Sequence, residues 1–353
     1  MPRLTGGICF VSGWFDVLRR YFSGLIFFPF LKSVLENIKK IAKYIRASWA
    51  IMLTYLKKGM SSIMEKRILI TGVNGFLGSR LFEYFKEQEG YDVLGVTHRE
   101  LEVSDSLAVT AFINAIRPDY VLHCAGVSDT GICEAEPELS EQINVRGTAN
   151  MAKACRQSNT KMIFMSSDQI YNASCSMEPN REERVQRPCT VYGRDKKRAE
   201  EAMFACLSDA VALRLTWMYD YPVRERTGGT GLLGNLVSAL EENRRMKLPV
   251  YDYRGITYVW NAVRSMTRAL MLPGGIYNFG SENTMNTYDT AVLFLQALTG
   301  REDVSAWAEP DRERFAASPR NLTIDISRVN SHGIGFEDTA AGIRTCLSDY
   351  RGR

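Results

Sequence analysis

The sequence predicts an α/β fold: a Rossmann-type doubly wound parallel sheet with a smaller mixed C-terminal substrate lobe. Three observations support this prediction. A short aliphatic strand pattern at residues 68–70 runs into a glycine-rich turn and then into an amphipathic helix. From there to residue 215, strand patterns alternate with helical patterns of 11 residues or more, as in sheets whose parallel strands are joined by helical crossovers. After Thr216 the alternation loosens into shorter elements.

The turn at residues 71–78 is the centre of the predicted fold. We expect Gly72 to allow the tight turn out of the strand, Gly75 to let the backbone approach a phosphate, and Gly78 to let the helix at 76–88 pack on the strand. Unpaired N–H groups and the positive end of the helix dipole would then face a pyrophosphate. The alternative is a purely structural strand–turn–helix. The residues predicted to contact a dinucleotide here are Gly72, Asn74, Gly75, Phe76, Leu77 and Gly78.

Further elements follow in order along the chain. Strands are predicted at residues 92–97, 119–124, 161–166 and 210–215, and helices at 106–117, 137–158 and 190–207. Pro118 ends the first of these helices, and Pro137 lies in the first turn of the second, where proline is tolerated. Residues 228–231 are predicted to form a flexible glycine-rich loop. We divide the chain into an extension (1–63), a dinucleotide-binding Rossmann domain (64–215) and a substrate-binding lobe (216–353) partly interleaved with the sheet.

The composition is ordinary for a globular protein of 353 residues, with 45% hydrophobic residues, so a sizeable core can form. The eight cysteines show no CxxC pair, and three histidines are too few for a His-rich site, so no metal is expected. The cysteines are interpreted as reduced thiols of a cytoplasmic protein. The formal net charge is +4, but residues 1–63 alone carry +8, which leaves a body of −4. A mildly acidic body argues against a nucleic-acid partner.

The extension at 1–63 has two parts. Residues 21–31 are apolar, but eleven residues are too few for a membrane-spanning helix, which needs about 20. Residues 32–58 show a basic amphipathic helical pattern that can lie in a membrane interface. Weak membrane-surface contact through residues 21–58 is one interpretation, and a packed extra helix is another. We favour a dispensable leader or an over-extended gene start, because Met64 directly precedes the first predicted strand.

The end of the second predicted strand bears on cofactor choice. An NAD-selective site has an acid about 20 residues beyond the glycines, bound to the ribose 2′-hydroxyl. His98 and Arg99 occupy that region here. An arginine suits the 2′-phosphate of NADP, because a guanidinium binds phosphate as a fork. We predict NADP(H) as cofactor, with His98 and Arg99 at its ribose and NAD(H) as the alternative. A solvated arginine beside Glu100 would also explain the pattern.

A second set of residues has the spacing of a proton-transfer site. Ser167 lies at the end of a predicted strand, and Tyr192 and Lys196 follow 25 and 29 residues later. Residues i and i+4 of a helix share a face, so Lys196 is predicted beside Tyr192. A neighbouring ammonium favours the phenolate, which lets the tyrosine exchange a proton with a substrate oxygen while hydride moves. Ser167 would hydrogen-bond that oxygen. The alternative is an ordinary exposed helix face.

These motifs occur together with several other short matches. They are the glycine turn, Arg117-Pro118-Asp119, Glu134-Ala135-Glu136-Pro137, Asn144-Val145, Ser166-Ser167-Asp168-Gln169-Ile170-Tyr171, Tyr192-Gly193, Lys196, Thr216-Trp217-Met218-Tyr219, Gly275-Ile276-Tyr277-Asn278 and Pro319-Arg320-Asn321. With them the chain resembles the extended short-chain dehydrogenase/reductase superfamily and, within it, most closely the dTDP-4-dehydrorhamnose reductase family of sugar-nucleotide-binding proteins. The resemblance runs from about residue 64 to the end and leaves residues 1–63 without a counterpart.

The resemblance implies an NADPH-dependent reductase of a 4-keto nucleotide sugar in dTDP-rhamnose biosynthesis. Ser167, Tyr192 and Lys196 would be catalytic, and Asn144 would brace the active-site strand. Asn144, Tyr192 and Lys196 would also be part of the cofactor-binding set. The residues that would line the nicotinamide-ribose side are Cys124, Ala125 and Gly126. The implied partner is a nucleotide-sugar substrate, and a homodimer stays open as the assembly.

Substrate contacts are predicted at Ser128, Asp168, Tyr171 and Trp217, with core packing as the alternative for Trp217. Asp252 and Arg254 could reach a diphosphate but are expected in a solvated loop. The chain departs from the family at Thr130-Gly131 and at Val259-Trp260-Asn261, both in substrate-facing regions. The identity of the sugar is therefore left open.

A non-catalytic function is the main alternative. Pro319-Arg320-Asn321, Asp325 and Gly333-Ile334-Gly335 fit the regulatory β subunit of methionine adenosyltransferase about as well. That branch binds NADP and acts as a partner of another enzyme. A sugar-nucleotide 4,6-dehydratase is excluded, because that reaction needs a glutamate base where this chain has Gln169, and an amide cannot take the proton.

Overall fold

The structure is a computed structural model that describes residues 65–174, 176–223 and 231–350. The predicted extension at 1–63 and most of the predicted loop at 228–231 lie outside the described residues. The interpretations of the extension as a leader, a membrane contact or a packed helix therefore stay predictions.

Six parallel strands form the central sheet of the described chain, in the order β2-β1-β3-β4-β5-β10. In chain order the strands are β1 (Lys66–Thr71), β2 (Tyr91–Val96), β3 (Tyr120–His123), β4 (Lys161–Ser167), β5 (Val211–Leu215), β6 (Trp217–Tyr219), β7 (Met246–Pro249), β8 (Asp252–Arg254), β9 (Ile256–Tyr258), β10 (Gly275–Phe279), β11 (Ala308–Asp311) and β12 (Arg320–Leu322). The predicted fold class is confirmed. The order reverses between β1 and β3, the kind of switch point where open α/β sheets bind ligands.

The central strands consist of nearly continuous apolar runs, because a parallel sheet is covered by helices on both faces. Ile68, Leu69 and Ile70 of β1 are fully buried, as are Val121 and Leu122 of β3. Because β1, β3 and β4 are parallel neighbours, their carboxyl ends meet at one edge of the sheet. The loops that follow these three strands therefore lie side by side at the switch point.

The predicted helices form, with one exception. In chain order the α-helices are α1 (Phe76–Lys86), α2 (Ser106–Ile116), α3 (Thr130–Ala135), α4 (Pro137–Ser140), α5 (Gly147–Ser158), α6 (Val191–Cys206), α7 (Gly231–Glu241), α8 (Val259–Ala269), α9 (Thr287–Thr299), α10 (Ser327–Asn330) and α11 (Thr339–Tyr350). The region predicted as one helix at 137–158 is helical throughout, but the π-helix Glu141–Arg146 lies between α4 and α5. Such widened turns commonly occur at functional sites. Within the described residues, no helix is both long and apolar enough to cross a bilayer.

After β5 the chain forms short strand pairs and also adds the strand β10 to the central sheet. The pairs β6–β9, β7–β11 and β8–β12 are parallel, while β10 joins the edge of the sheet beside β5. A buried ion pair ties this part to α1, since Arg80 Nε lies 2.7 Å from Asp220 Oδ2. Tyr350, at the end of α11, donates a hydrogen bond to Asp220 Oδ1 at 3.1 Å. The division into domains at residue 215 stays a prediction.

Candidate active site

The turn after β1 requires two of its three glycines. Gly72 has a φ of +66°, and a Cβ there would lie 2.8 Å from the backbone nitrogen of Ala125. A Cβ on Gly78 would collide with the carbonyl oxygen of Gly72, so α1 packs directly against the turn. No side chain of the described residues caps α1, which begins at Phe76. Its first N–H groups are therefore available to a phosphate, as a dinucleotide pyrophosphate would need.

His98 and Arg99 lie on the exposed turn that follows β2. This turn is next to the glycine turn, because the N–H of Val73 donates a hydrogen bond to the carbonyl of Val96 at 3.2 Å. The carboxylate of Glu100 accepts hydrogen bonds from the hydroxyl and the backbone N–H of Thr97, and these hold the pKa of Glu100 below its usual range. The one acid of the turn is thus engaged by Thr97. The ribose roles of His98 and Arg99 stay predictions.

The loop after β3 carries the predicted nicotinamide-side residues 124–126. Asn144, in the π-helix, accepts a hydrogen bond from the N–H of Val127 at 2.9 Å and donates one to its carbonyl at 3.0 Å. A Cβ on Gly126 would lie 2.7 Å from Asn144 Oδ1 and 3.9 Å from Lys196 Nζ. Asn144 therefore braces the loop after β3. The expectation that it also braces the active-site strand stays a prediction.

The three predicted catalytic residues converge at the carboxyl end of β4. Ser167 and Lys196 are each 7% exposed and Tyr192 is 8% exposed. The Lys196 ammonium donates a hydrogen bond to the carbonyl of Met165 at 2.8 Å and lies 5.7 Å from the centroid of the Tyr192 ring. Ser167 adjoins Tyr192 closely enough to lower the pKa of the phenol. The three side chains that were predicted to act together therefore lie at one end of β4, and their catalytic roles stay predictions.

Two side chains fix the start of α6, which carries Tyr192 near its first turn. Thr190 is the N-cap, and its hydroxyl accepts hydrogen bonds from the N–H of Gly193 at 3.1 Å and from the side-chain amide of Asn172 at 2.7 Å. The carboxylate of Glu134 accepts a hydrogen bond from the N–H of Val191 at 2.7 Å. These contacts satisfy N–H groups that a helix leaves unpaired, and they hold the tyrosine in position.

Burial shifts the pKa values of Tyr192 and Lys196, the two ionisable residues of the predicted catalytic set. It raises the pKa of Tyr192 above its usual range, and the hydrogen bond with Ser167 offsets this only in part. Burial also lowers the pKa of Lys196 to about 8. Tyr192 is therefore a protonated phenol at neutral pH, the form that can give a proton. Burial is the largest influence on the pKa of Tyr192 in the described chain, and the expectation that the ammonium and a bound nicotinamide cation favour the phenolate stays a prediction.

A buried cluster of charges lies beside the catalytic residues. Asp168, Asp252 and Arg254 are 2%, 2% and 8% exposed, and Arg320 donates hydrogen bonds to both oxygens of Asp252 at 2.8 and 2.9 Å. The expectation that Asp252 and Arg254 lie in a solvated loop is wrong. The pairing of β8 with β12 encloses them, and that pairing joins segments about 70 residues apart, which no local pattern indicates.

Two polar atoms in this cluster lack partners. Asp168 Oδ2 and Arg254 Nε are buried and accept or donate no hydrogen bond within the described chain. Burial raises the pKa of Asp168 to about 6, although the charge of Arg254 lowers it, and burial lowers the pKa of Arg254. The Arg254 guanidinium carbon lies 5.0 Å from the centroid of the half-buried Trp217 ring. Because buried polar groups are normally paired, the cluster has the character of a polar ligand site.

The remaining predicted substrate residues differ in how they are placed. The hydroxyl of Tyr171 donates a hydrogen bond to Asn278 at 2.9 Å and accepts one from Arg214 at 2.7 Å, so it is engaged inside the protein. Ser128 is exposed on the loop after β3. The substrate roles of Ser128, Asp168, Tyr171 and Trp217 stay predictions. Across the described ranges, no group of three or more His, Cys, Asp or Glu side chains could hold a metal ion.

Known proteins resemble this chain over the same region. The family model described as RmlD substrate binding domain matches residues 66–351. The methionine adenosyltransferase 2 subunit beta of Xenopus laevis is 28% identical over 303 residues, which cover 81% of this chain and 88% of that protein. The dTDP-4-dehydrorhamnose reductase of Mycolicibacterium smegmatis is 31% identical over 163 residues, which cover 46% of this chain and 49% of that protein.

Solved structures extend the likeness to the fold. A dTDP-4-dehydrorhamnose reductase from Bacillus anthracis, solved in complex with NADP, superposes with a TM-score of 0.71. It is 19% identical, and the match covers 81% of this chain and 100% of that one. At this identity the likeness supports the fold alone, and it agrees with the parallel sheet described above.

Proposed function

Because the chain belongs to the family described as RmlD substrate binding domain, we propose that it is an NADPH-dependent reductase of a 4-keto nucleotide sugar. One observation carries the proposal: a protonated Tyr192, Ser167 and Lys196 meet at the carboxyl end of β4, beside a helix start suited to a pyrophosphate. When bound, NADPH supplies the hydride. The residues that would hold it are those of the glycine turn, His98, Arg99, residues 124–126 and Lys196.

The protein's own residues supply the proton and the orientation. Ser167 holds the substrate carbonyl oxygen by a hydrogen bond, and Tyr192 gives that oxygen a proton as the carbonyl is reduced. Lys196 stabilises the phenolate that remains and orients the nicotinamide ribose. A buried ammonium does this well, because charges interact more strongly away from water. Metal chemistry has no part in the proposal.

The cluster around Asp168 supports a nucleotide sugar as substrate. A sugar hydroxyl could donate to Asp168 Oδ2, and a sugar hydroxyl or a phosphate oxygen could accept from Arg254 Nε; both atoms lack partners among the described residues. The ring of Trp217 offers an apolar face of the kind on which sugars stack. We propose a dTDP-linked 6-deoxy-hexose, following the reductases of the family.

The test is NADPH oxidation against a panel of nucleotide sugars with a ketone at C4, including dTDP-4-dehydrorhamnose. The matched control is the same nucleotide with a hydroxyl at C4, which offers no carbonyl. We expect turnover with at least one ketone and none with the alcohols. No turnover across the panel, with NADPH bound tightly, would contradict the reductase.

A regulatory partner is the second candidate, because the methionine adenosyltransferase 2 subunit beta of Xenopus laevis is similar along 88% of its length. This function requires a stable complex and needs no catalytic tyrosine. Size-exclusion chromatography of the chain with a methionine adenosyltransferase catalytic subunit distinguishes the two functions. Co-elution without NADPH turnover favours the partner, and turnover without co-elution favours the reductase.

A further inference from the structure

A fully buried ion pair lies behind the catalytic lysine. Glu200 is on α6, four residues after Lys196, and is 3% exposed. Its two oxygens accept hydrogen bonds from Arg214 of β5 at 3.0 and 2.7 Å, and Oε1 also accepts one from the hydroxyl of Ser166 at 2.5 Å. Residues i and i+4 share a helix face, and the two side chains contact adjacent residues of β4, Lys196 through the carbonyl of Met165 and Glu200 through the hydroxyl of Ser166.

The buried Glu200–Arg214 ion pair has features that stability alone does not explain. Burying two charges costs more than their attraction returns in many proteins, and an apolar pair of similar volume is often as stable. Arg214 is 1% exposed and uses its remaining donors on the hydroxyl of Tyr171 at 2.7 Å and the carbonyl of Glu182 at 3.1 Å. Hydrogen bonds from and to neighbouring groups therefore hold the two charged side chains in place.

The other ionisable groups around Lys196 are neutral at physiological pH. From β3, burial lowers the pKa of His123 to about 3. Burial raises the pKa of Cys124, just after β3, to about 12, and that of Cys133 on α3 above its usual range. Tyr192 on α6 is protonated. Glu200 is the carboxylate on this helix face, and it is paired with Arg214 by two hydrogen bonds.

We propose that Glu200 is a positioning residue that keeps Lys196 in its ammonium form, and that Arg214 sets how strongly Glu200 does so. The Glu200 carboxylate is held by two hydrogen bonds from Arg214, so the guanidinium offsets the negative charge that Glu200 brings near Lys196. The inference deepens the proposed function, because Lys196 would act at the cofactor ribose. Its test does not need turnover, so it can fail while the reductase stands.

The test is to titrate Lys196 directly by NMR of protein labelled with [ε-¹³C]lysine. The Lys196 signal is the one missing from Lys196→Arg. Glu200→Gln removes the near charge and leaves Arg214 unpaired, so we expect the titration midpoint to fall by about one pH unit. Arg214→Met leaves the carboxylate unopposed, so the midpoint should rise by a similar amount. Glu200→Asp keeps the charge and should stay closest to the unmodified protein.

Opposite shifts are the readout that a merely structural pair would not produce. Loss of a structural pair would lower the melting temperature in both variants and leave the Lys196 midpoint unchanged. An unchanged midpoint, or shifts in the same direction, would overturn the proposal. If Glu200→Gln does not fold, Arg214→Met decides alone, since its midpoint must lie above that of the unmodified protein.

Discussion

The Lys196 ammonium lies 5.7 Å from the centroid of the Tyr192 ring and hydrogen-bonds the carbonyl of Met165. It also lies 4.6 Å from the centroid of the Phe164 ring. The lysine is thus held between the end of β4 and the face of α6 by a backbone acceptor and two aromatic rings. Both side chains are therefore preorganised before any ligand binds.

Removing the Tyr192 hydroxyl should abolish the proton transfer and leave cofactor binding nearly unchanged. Positioned acid catalysis contributes about 10²–10⁴-fold, so Tyr192→Phe should lose at least that much kcat. NADPH affinity, measured by fluorescence titration, should stay within about twofold, since one hydroxyl is lost far from the pyrophosphate turn. The matched control is Tyr120→Phe, because Tyr120 lies at the amino end of β3, the end of the sheet opposite the predicted site. Equal turnover by Tyr192→Phe and the control would remove Tyr192 from the mechanism.

Neutralising Asp168 should stabilise the protein at neutral pH. The pKa of Asp168 is about 6 in the folded chain and 3.8 as the ordinary value, so the folded state binds its proton more tightly. The contribution of this proton to the free energy of unfolding is fully present below about pH 4 and is lost as the pH rises through 6. Asp168→Asn should therefore gain free energy of unfolding relative to the unmodified protein between pH 4 and 7, by at most about 3 kcal/mol.

Urea unfolding at pH 4.5 and pH 7.5 measures this difference. Asp325→Asn is the control of opposite sign, because the pKa of Asp325 is lowered by hydrogen bonds from Ser327 and the charge of Arg181, which together outweigh its burial. Its contribution is present above pH 4 and lost as the pH falls, so that variant should be destabilised at neutral pH. If Asp168→Asn is less stable than the unmodified protein at pH 7.5, the burial of the Asp168 carboxylate does not cost stability, and the account of this residue is contradicted.

Arg99 should give the protein its preference for NADPH over NADH. Hydrogen bonds to charged groups contribute about 1.5–3 kcal/mol, so Arg99→Ala should lose about tenfold or more in NADPH affinity. NADH affinity should hardly change, because NADH has no 2′-phosphate. The matched control is Arg117→Ala, which removes an exposed arginine just before the amino end of β3. Tighter binding of NADH by the unmodified chain would show that Arg99 does not select the cofactor.

Removing residues 1–63 should leave folding and cofactor binding intact. Strand β1 is paired on both sides, by β2 and by β3, so it offers the extension no free edge. A chain that begins at Met64 is expected to match the full chain in melting temperature and NADPH affinity. Insolubility or lost binding would show that the extension belongs to the domain. Flotation of the full chain with anionic liposomes tests the separate hypothesis of membrane contact.

The parts of the fold that were predictable are those specified by neighbouring residues. The glycine turn constrains backbone angle and packing within seven residues, and Tyr192 and Lys196 are neighbours on one helix face by spacing alone. The strands of the sheet could be predicted because helices cover both faces, which makes apolar runs such as residues 68–70 continuous.

The parts that were missed depend on distant segments. Asp252 and Arg254 are buried because β8 pairs with β12, and Arg320 reaches Asp252 across 68 positions of the chain. The π-helix that interrupts 137–158 turns Asn144 toward a loop 17 residues earlier. Burial raises the pKa of Tyr192 further above its usual range, which a sequence motif does not report. These are the features that complete the site, and each depends on tertiary packing.

The most direct test of the central claim follows the hydride itself. The protein is incubated with a 4-keto nucleotide sugar and NADPH deuterated at C4 of the nicotinamide, with each of the two C4 epimers in turn. We predict that the sugar product gains one mass unit from one epimer only, with deuterium at its C4, and that Tyr192→Phe transfers far less. NADPH bound tightly with no deuterium in any sugar of the panel would contradict the reductase and favour a regulatory partner.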